Sequence, residues 1–527
     1  MLKRTSSGRT VVIGAGIGGL AAALRLAHAG QDVVVLERAA EPGGKLRTMD
    51  TVAGPVDAGP TVFTMRPLFE QLFADVGERL DDHLNTVAET VLARHWWPDG
   101  SQLDLHADHG RSVEAIRDFA GDRSAREFER FCADARRLFE AFDGPIMRSA
   151  NPSLATVTGV VMSNPRLMMQ MTPPRTLWRT LERRFSDPRL VQLFARYATY
   201  VGGSPFASPA ILGLIWHAEA SGVWQIEGGM HQLAKVLERL AIKRGARFEY
   251  GAHVSRIEPH GDQPLRVHLA TGDEIVADSV VFNGDPAALA QGKLGSKVAR
   301  NTPAAGVSPR ALSAYVWSFA AEPEGVGLAH HNIFFNHHYR REFTAIDAGR
   351  MPEDATLYVC AQDRGAGRQP TGPERFEIIM NGPARSDARP DDPEEKEICR
   401  LLTFRTLARA GLRFSPPPGP ESLTTPAGFA ALFPGSDGSL YGRSPHGMMA
   451  SFQRPTVRTR IPGLYLAGGG VHPGPGLPMA MSSGRHAAEA ILTDLASTSP
   501  SRLTATRGGT LTGSLTTGSA ASRSLPS

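Results

Sequence analysis

The sequence predicts an α/β fold in which a Rossmann-like domain is assembled from discontinuous segments and carries a second domain of mixed α+β structure. The first observation is a βαβ opening, because residues 9–13 and 32–36 have the apolar pattern of strands and the Ala- and Leu-rich segment 16–29 has that of a helix. The second is that strand patterns return at 245–283 and 463–467. The third is the length of 527 residues, which is enough for two or more domains.

The later elements continue this pattern. Gly30 is a natural C-terminal stop for the first helix. The later strand patterns occupy residues 245–258, 265–269, 274–283 and 463–467, and an Ala-rich helical pattern follows at 482–495. We therefore assign residues 1–105, 224–310 and 445–496 to the nucleotide-binding domain, the largely helical 106–223 and the mixed 311–444 to a substrate domain, and the Ser-, Thr- and Gly-rich 497–527 to a disordered tail.

The composition excludes several classes of function. Hydrophobic residues make up 41% and charged residues 21%, as in a folded globular protein. The net charge is only +4 and no block of Lys and Arg is present, so we expect no nucleic-acid partner. No uninterrupted apolar stretch reaches about 18 residues, so we predict no transmembrane helix. Cys132, Cys360 and Cys399 are far apart, which favours reduced thiols in a cytoplasmic protein.

Two histidine pairs invite a metal interpretation. They are His330 with His331, and His337 with His338. No Cys or carboxylate completes a convincing ligand set in the sequence, and paired histidines in a polar loop are often solvated. We therefore expect no metal site.

The most informative segment is Gly-Ala-Gly-Ile-Gly-Gly at residues 14–19, a GxGxxG placed between a strand and a helix. Gly14 permits the tight turn, Gly16 lets the backbone approach a pyrophosphate, and Gly19 lets the helix pack closely on the strand. The free N–H groups of the helix N-terminus favour phosphate binding.

Glu37 ends the second strand, where a carboxylate binds ribose hydroxyls and would repel the 2′-phosphate of NADP, so NAD and FAD remain. The predicted site also includes Ile17, Gly18 and Arg38.

A second glycine-rich succession decides between these two cofactors. Gly43 and Gly44 allow another close backbone approach, and either Lys45 or Arg47 is placed to offset pyrophosphate charge, although an ordinary glycine turn would have the same residues. Asp57-Ala58-Gly59-Pro60 comes next, and we assign Gly59 and Pro60 to the site together with Val254 from a later strand. The succession resembles the amine oxidase and carotenoid desaturase group of flavoproteins, in which a glycine pair follows the dinucleotide fingerprint. That resemblance implies FAD and a nucleotide domain of the amine oxidase and glutathione reductase type.

The resemblance returns twice along the chain. Residues 224–230 look like the Gly-Gly turn that precedes a helix in that group. Residues 463–478 resemble the C-terminal flavin-binding signature of phytoene-desaturase-type enzymes, with glycines that let backbone N–H groups reach the flavin or pyrophosphate and a later helix, from Ser482, aimed at the flavin. The site residues assigned from this stretch are Gly469, Gly470, Gly476, Leu477 and Pro478.

The resemblance, which runs from about residue 9 to residue 495, also implies a reaction. The Gly-Gly-Val-His-Pro-Gly run, with Pro478-Met479-Ala480-Met481 after it, is similar to that of bacterial hydroxycarotenoid 3,4-desaturases. These enzymes introduce a carbon–carbon double bond as a hydride passes to the flavin. Phytoene desaturation and carotenoid isomerisation are the alternatives within the family; a soluble amine oxidase and a flavin-binding escort protein are the alternatives outside it. His472 is either a base or a residue that orients its loop, so we assign no catalytic residue, and the electron acceptor stays unassigned.

A hydrophobic polyene would reach the enzyme from a membrane. Residues 160–184 combine Val, Leu, Met and Trp with Arg166, Arg175, Arg179, Arg183 and Arg184, a composition typical of interfacial segments. The alternative is a buried helix pair interrupted at Pro173 and Pro174. We expect a cytoplasmic enzyme bound peripherally to the inner photosynthetic membrane.

Overall fold

The structure is a computed structural model that describes residues 8–164, 167, 175–261, 263–365, 367–385, 392–447 and 450–498. The predicted tail from residue 499 onward, and most of 165–174, lie outside the described residues. The strands are β1 (Arg9–Ile13), β2 (Asp32–Glu37), β3 (Thr48–Met49), β4 (Val56–Asp57), β5 (Thr86–Ala88), β6 (Val91–Trp96), β7 (Gln102–His106), β8 (Trp224–Ile226), β9 (Arg247–Tyr250), β10 (Val254–His260), β11 (Gln263–Leu269), β12 (Glu274–Ala277), β13 (Ser279–Phe282), β14 (Ser313–Gly325), β15 (His331–Phe334), β16 (Leu357–Ala361), β17 (Glu374–Gly382), β18 (Leu412–Ser415), β19 (Leu423–Thr424) and β20 (Leu464–Leu466). The helices are α1 (Ile17–His28), α2 (Arg66–Ala74), α3 (His109–Phe142), α4 (Leu154–Met162), α5 (Leu177–Arg184), α6 (Pro188–Ala195), α7 (Ile215–Ala220), α8 (His231–Lys243), α9 (Pro286–Ala290), α10 (Ser296–Arg300), α11 (Tyr339–Asp347), α12 (Pro393–Arg409), α13 (Pro426–Leu432) and α14 (Leu477–Thr498).

A five-stranded parallel sheet confirms the predicted α/β fold. Its order is β20-β13-β1-β2-β9, so strands from the N-terminus, the middle and the C-terminus lie side by side. Both faces are covered, since β1 and β2 are apolar and buried and α1 packs against α8 and α14. This sheet assembles the discontinuous domain that the sequence predicts.

Two of the predicted strand patterns each divide into two strands. The pattern at 245–258 becomes β9 in the parallel sheet and β10 in a separate antiparallel sheet, because Gly251 adopts a left-handed conformation between them. The pattern at 274–283 becomes β12 in the antiparallel sheet β10-β11-β12 and β13 in the parallel sheet. Periodicity alone does not reveal these changes of sheet.

The second domain is built on an eight-stranded sheet. Its order is β18-β14-β17-β16-β15-β6-β7, with β19 alongside β14. The hairpin of β6 and β7 belongs to this sheet because β6 pairs in parallel with β15. We therefore propose a domain boundary before Val91 in place of the one expected at residue 105.

Helices α3 to α7 form an apolar layer beside this sheet. Phe128, Phe194 and Trp216 form an aromatic cluster at its centre, and the same core includes residues of β6, β7 and β15. The longest helix, α3, is interrupted at Gly121, where φ is 85°. Among the described residues, no helix is both long enough and apolar enough to cross a membrane.

Candidate active site

The fingerprint loop lies at the carboxyl end of β1. Gly14 has a φ of 98°, and its N–H donates to Leu36 O at 2.8 Å, which ties the turn to the end of β2. A side chain at Gly19 would place its Cβ 2.1 Å from Gly14 O, so the helix approaches the loop as closely as the sequence predicts. Ile17 and Gly18 form the first buried turn of α1, whose N-terminal N–H groups point toward this loop.

Glu37 ends β2 beside the same loop. Its carboxylate accepts hydrogen bonds from the N–H of Ala15 at 2.6 Å and from the N–H of Ala39 at 2.8 Å. Arg38 turns away and donates to Leu432 O at 2.5 Å, at the end of α13. The chain just before Val254 returns to this place, where the N–H of Ala252 donates to Glu37 O at 2.9 Å.

The glycine pair lies directly against the fingerprint loop. Gly43 N–H donates to Ala15 O at 2.8 Å, and Gly43 bridges Gly16 in a parallel arrangement. A Cβ on Gly44 would lie 3.2 Å from Gly16 Cα, and one on Gly43 would lie 2.2 Å from Leu46 O. Two glycine segments without side chains are therefore brought together, and the two predicted parts of the phosphate site, the fingerprint loop and the glycine pair, are adjacent.

Lys45 and Arg47 point toward the second domain. Lys45 Nζ donates to Leu440 O at 2.5 Å, and Arg47 donates to Thr424 Oγ1 at 2.7 Å. The pKa of Lys45 is lowered to about 8, mainly by burial; Asp285 opposes this shift, whereas the nearby cations Arg310 and Arg454 add to it. The surroundings of Lys45 thus carry more positive than negative charge, which fits an anionic cofactor.

The Gly59-Pro60 turn is held by a buried carboxylate. Asp57 accepts hydrogen bonds from the N–H groups of Met230 at 2.7 Å and His231 at 3.2 Å, at the N-terminus of α8. A Cβ at Gly229 would lie 2.7 Å from Asp57 Oδ2, and one at Gly59 would lie 1.8 Å from Lys45 O. The Gly-Gly turn at 228–229 and the segment 57–60 therefore form one unit.

The C-terminal signature packs on the first helix. A Cβ on Gly18 would lie 2.8 Å from Gly468 N, and one on Gly484 would lie 2.0 Å from Gly18 O. The last helix begins at Leu477, directly after Gly476, and not at Ser482 as the sequence predicts. Its N-terminus thus emerges from the Gly/Pro-rich loop itself, because Leu477 and Pro478 are already helical and buried.

Two further loops enclose the glycines of this signature. A Cβ at Gly470 would lie 2.6 Å from Pro286 Cδ, and one at Gly442 would lie 3.0 Å from Gly470 Cα. The buried Arg454 reaches Gly469 O at 3.4 Å and Tyr441 O at 3.0 Å. The second domain therefore contributes to the rim of the site.

His472 fixes a neighbouring segment of chain. Its Nε2 lies 3.0 Å from Ile146 O and 2.9 Å from Ser149 O. Carbonyl oxygens only accept, so Nε2 carries the proton and donates to both. This contact supports the orienting role over the role of a base.

Sequence reasoning missed residues that connect these motifs. Asn283 follows β13, donates to Gly14 O at 3.1 Å, and lies within 3.0 Å of where Cβ atoms on Gly18 and Gly468 would be. Asp285 pairs with Arg310 at 2.5 Å and caps α9 by accepting from Ala287 N–H. The available signal was the position of Asn283 at the carboxyl end of a parallel strand, where α/β proteins bind their ligands.

The histidine pairs separate in space. His337 and His338 are exposed, and their backbone N–H groups donate to the Asp354 carboxylate. His330 and His331 are buried and lie next to Cys360, about thirty positions away in sequence. The sequence argument that no cysteine completes a ligand set is therefore wrong, because strand pairing supplies one.

Comparison with known proteins agrees with this geometry. The family described as flavin containing amine oxidoreductase matches residues 17–492. Hydroxyneurosporene desaturase of Cereibacter sphaeroides is 56% identical over 491 residues, which is 93% of this chain and 99% of that protein. Hydroxyneurosporene desaturase of Rhodobacter capsulatus is 49% identical over 484 residues, 92% of this chain and 97% of that protein. Among solved structures, cyclohexylamine oxidase from Brevibacterium oxydans has a TM-score of 0.58 at 16% identity, covering 93% of this chain and 100% of that one, a likeness of fold.

Proposed function

Because the chain belongs to the flavin-containing amine oxidoreductase family, we propose that it is an FAD-dependent carotenoid desaturase. When bound, FAD supplies the hydride acceptor for such a reaction. The chain's own residues bind and orient the cofactor and exclude water from it. The observation that carries the proposal is the convergence of the 14–19, 43–44 and 468–470 glycine segments, which presents bare backbone from three parts of the chain to one place.

Several of the predicted cofactor residues have a role in this proposal, and Arg454 joins them. The N–H groups at Gly16 to Gly19 bind the pyrophosphate, and Glu37 binds the ribose hydroxyls. Lys45 and Arg454 supply positive charge on the side of the second domain. The N-terminus of α14 then meets the flavin, since it begins at the end of the Gly/Pro-rich loop.

For the substrate, we propose a 1-hydroxycarotenoid that is desaturated at the 3,4 position. The support is the similarity to the two hydroxyneurosporene desaturases, which match this chain across more than nine-tenths of its length. The start of α14 contains Leu477, Ala480 and Met481 and no aromatic or charged residue, a composition that suits a hydrocarbon better than a charged amine.

Expression in bacteria that accumulate phytoene, neurosporene or hydroxyneurosporene tests this assignment. We expect one added double bond in the pigment of the hydroxyneurosporene strain. Conversion confined to phytoene would identify a phytoene desaturase, and a geometric isomer without added unsaturation would identify an isomerase. Anaerobic reduction of the purified flavoprotein by an amine, but not by carotenoid in liposomes, would identify an amine oxidase.

We further propose that the enzyme docks peripherally on a membrane through α4. This helix is almost entirely apolar, and Met162 at its end is 69% exposed. It follows the segment 146–149 that His472 anchors beside the C-terminal loop, so it emerges next to the site. By contrast, α5 turns Leu177 and Leu181 into the protein core, and Trp178 packs on Phe206. Among the described residues of the predicted segment 160–184, those of α4 then suit a membrane surface better than those of α5.

A further inference from the structure

Three potential metal ligands converge in the core of the second domain. Strands β15 and β16 are antiparallel, and their register places His331 directly opposite Cys360. Opposite residues present their side chains on the same face of a sheet. His330 precedes β15, and one ring nitrogen of His330, one ring nitrogen of His331 and the Sγ of Cys360 all lie within 4.8 Å of one another. All three residues are buried.

The distance between two of these atoms matches a tetrahedral metal site. His330 Nε2 lies 3.6 Å from Cys360 Sγ. A tetrahedral zinc ion with Zn–S of about 2.3 Å and Zn–N of about 2.0–2.1 Å holds its sulfur and nitrogen ligands about 3.6 Å apart. A thiol–imidazole hydrogen bond gives a similar distance, but it leaves the third atom of the cluster unexplained.

The third residue, His331, has a ring nitrogen, Nε2, that is buried and has no hydrogen-bond partner among the described residues. Burial of an unpaired polar atom is costly, so such atoms in folded proteins usually meet a ligand, water or ion. Nε2 is one of the two ring nitrogens that His331 can offer to the cluster. A cation bound by all three would give it a partner.

The Nδ1 atom of each imidazole has a hydrogen-bond partner, which leaves Nε2 of each ring available to a cation. His330 Nδ1 lies 2.8 Å from Arg364 O, and because a carbonyl only accepts, Nδ1 carries the proton and Nε2 has a free lone pair. His331 Nδ1 lies 2.7 Å from the hydroxyl of Tyr358, which in turn lies 2.8 Å from Thr61 Oγ1. Thr61 directly follows Pro60, so this chain of hydrogen bonds connects the cluster to the proposed flavin loop.

A carboxylate is available to balance the charge of the cation. Strand β16 lies between β15 and β17. The register of β16 and β17 places Glu377 of β17 opposite Cys360, whereas His331 lies opposite Cys360 on β15. Glu377 is fully buried, and neither of its oxygens has a hydrogen-bond partner among the described residues. A divalent cation bound by one thiolate retains one positive charge, which the Glu377 carboxylate offsets.

We propose that His330, His331 and Cys360 bind a divalent cation of the zinc class. Two imidazoles and a thiolate form a borderline-soft donor set that suits Zn²⁺ rather than Mg²⁺ or Ca²⁺. Binding displaces the thiol proton, so the cation exchanges one proton for its bond to sulfur. Three protein ligands leave the fourth tetrahedral position to water. The cation would join β15, and the residue before it, to β16. The hydrogen bonds from His331 to Tyr358 and from Tyr358 to Thr61 connect it to the residues behind the flavin loop.

Metal analysis of the full-length flavoprotein tests the proposal. The protein is purified with a reducing agent, incubated with Zn²⁺ and dialysed, and zinc is measured by mass spectrometry beside flavin content. We expect about one zinc ion per chain in the wild type and in Cys399→Ala, and a loss of at least tenfold in Cys360→Ala. Cys399 is a matched control because it is equally buried but lies on α12 beside Thr403.

Cobalt gives a second measurement that does not depend on a variant folding. Co²⁺ bound to the wild type by a thiolate and imidazoles in a tetrahedral site should produce ligand-field bands at wavelengths longer than the flavin absorption. His331→Gln should abolish these bands. Absence of zinc and of cobalt bands in the flavin-loaded wild type overturns the proposal, as does equal zinc in the wild type and Cys360→Ala; the cluster is then a thiol–imidazole hydrogen bond.

Discussion

Glu37 Oε2 accepts a hydrogen bond from the N–H of Ala15 at 2.6 Å, across the turn between the first strand and the first helix. Its other oxygen accepts from the N–H of Ala39 at 2.8 Å. One carboxylate therefore holds the end of β2 against the fingerprint loop. The residue expected to bind the cofactor ribose also sets the shape of the loop that would bind its phosphates.

Glu37→Arg should weaken FAD binding by more than tenfold. A hydrogen bond to a charged group contributes about 1.5–3 kcal/mol, and the longer cation cannot accept from Ala15 N–H. The measurement is the dissociation constant from flavin fluorescence during titration of apoprotein with FAD. Glu37→Gln, which keeps one acceptor oxygen, should lose less. Equal affinity of Glu37→Arg and wild type would contradict the placement of Glu37 in the site.

Gly484→Ala should lower both thermal stability and flavin content. A Cβ at this position would lie 2.0 Å from Gly18 O, so α14 must move away from α1 at the start of the phosphate-binding helix. Overpacking of this kind costs about 1–3 kcal/mol. Gly144→Ala is the matched control, because a Cβ there meets nothing within 4 Å. Thermal unfolding followed with bound-flavin absorbance should separate the two variants, and identical melting curves would show that the helices tolerate the methyl group.

Lys45→Met should stabilise the apoprotein in a pH-dependent way. Burial lowers the pKa of Lys45 from 10.5 to about 8, so the unfolded chain binds more protons between these values and wild-type stability rises with pH through that window. Below pH 8 the wild type bears the full cost of the buried charge. The melting temperature of Lys45→Met apoprotein should therefore exceed that of wild type below pH 8, and the difference should vanish toward pH 10.5.

The same variant should bind FAD more weakly, since it removes a cation proposed to face the anionic cofactor. Replacement of the exposed Lys293 by Met provides the control and should leave both properties unchanged. A melting-temperature difference between Lys45→Met and wild type that does not change with pH would argue against a lowered pKa at Lys45.

The sequence was sufficient where local pattern and tertiary structure agree. The βαβ opening needs only apolar periodicity and glycine at fixed positions, so β1, α1, β2 and their loop were predicted almost to the residue. The α14 start at Leu477 was missed because Pro478, like the Gly476 just before the helix, is normally a sign of a loop but here lies in the first turn of a helix, where proline is tolerated.

Contacts between distant segments were beyond sequence reasoning. Asn283 becomes a link between the fingerprint and C-terminal loops only when β13 enters the parallel sheet beside β1. Cys360 meets His331 only through the register of β15 and β16. A single sequence specifies residue types and local spacing, whereas these two relationships depend on which strands pair.

The structure also changes which substitutions should test membrane docking. Met162→Glu, on α4, should reduce sedimentation with anionic liposomes about tenfold or more, because burying an apolar side chain of this size contributes about 1.5–3 kcal/mol. Leu401→Glu is the matched control, since Leu401 is 54% exposed on α12, away from α4 in sequence and fold.

Replacing Arg175, Arg179 and Arg183 by Glu should have a smaller effect, because the apolar residues of α5 face the core and cannot enter a bilayer. Flavin content should stay normal in all three variants, and turnover of carotenoid in liposomes should fall most for Met162→Glu and stay unchanged for Leu401→Glu. If the arginine replacements abolish liposome binding while Met162→Glu does not, charge on α5 directs docking and α4 is an ordinary surface helix.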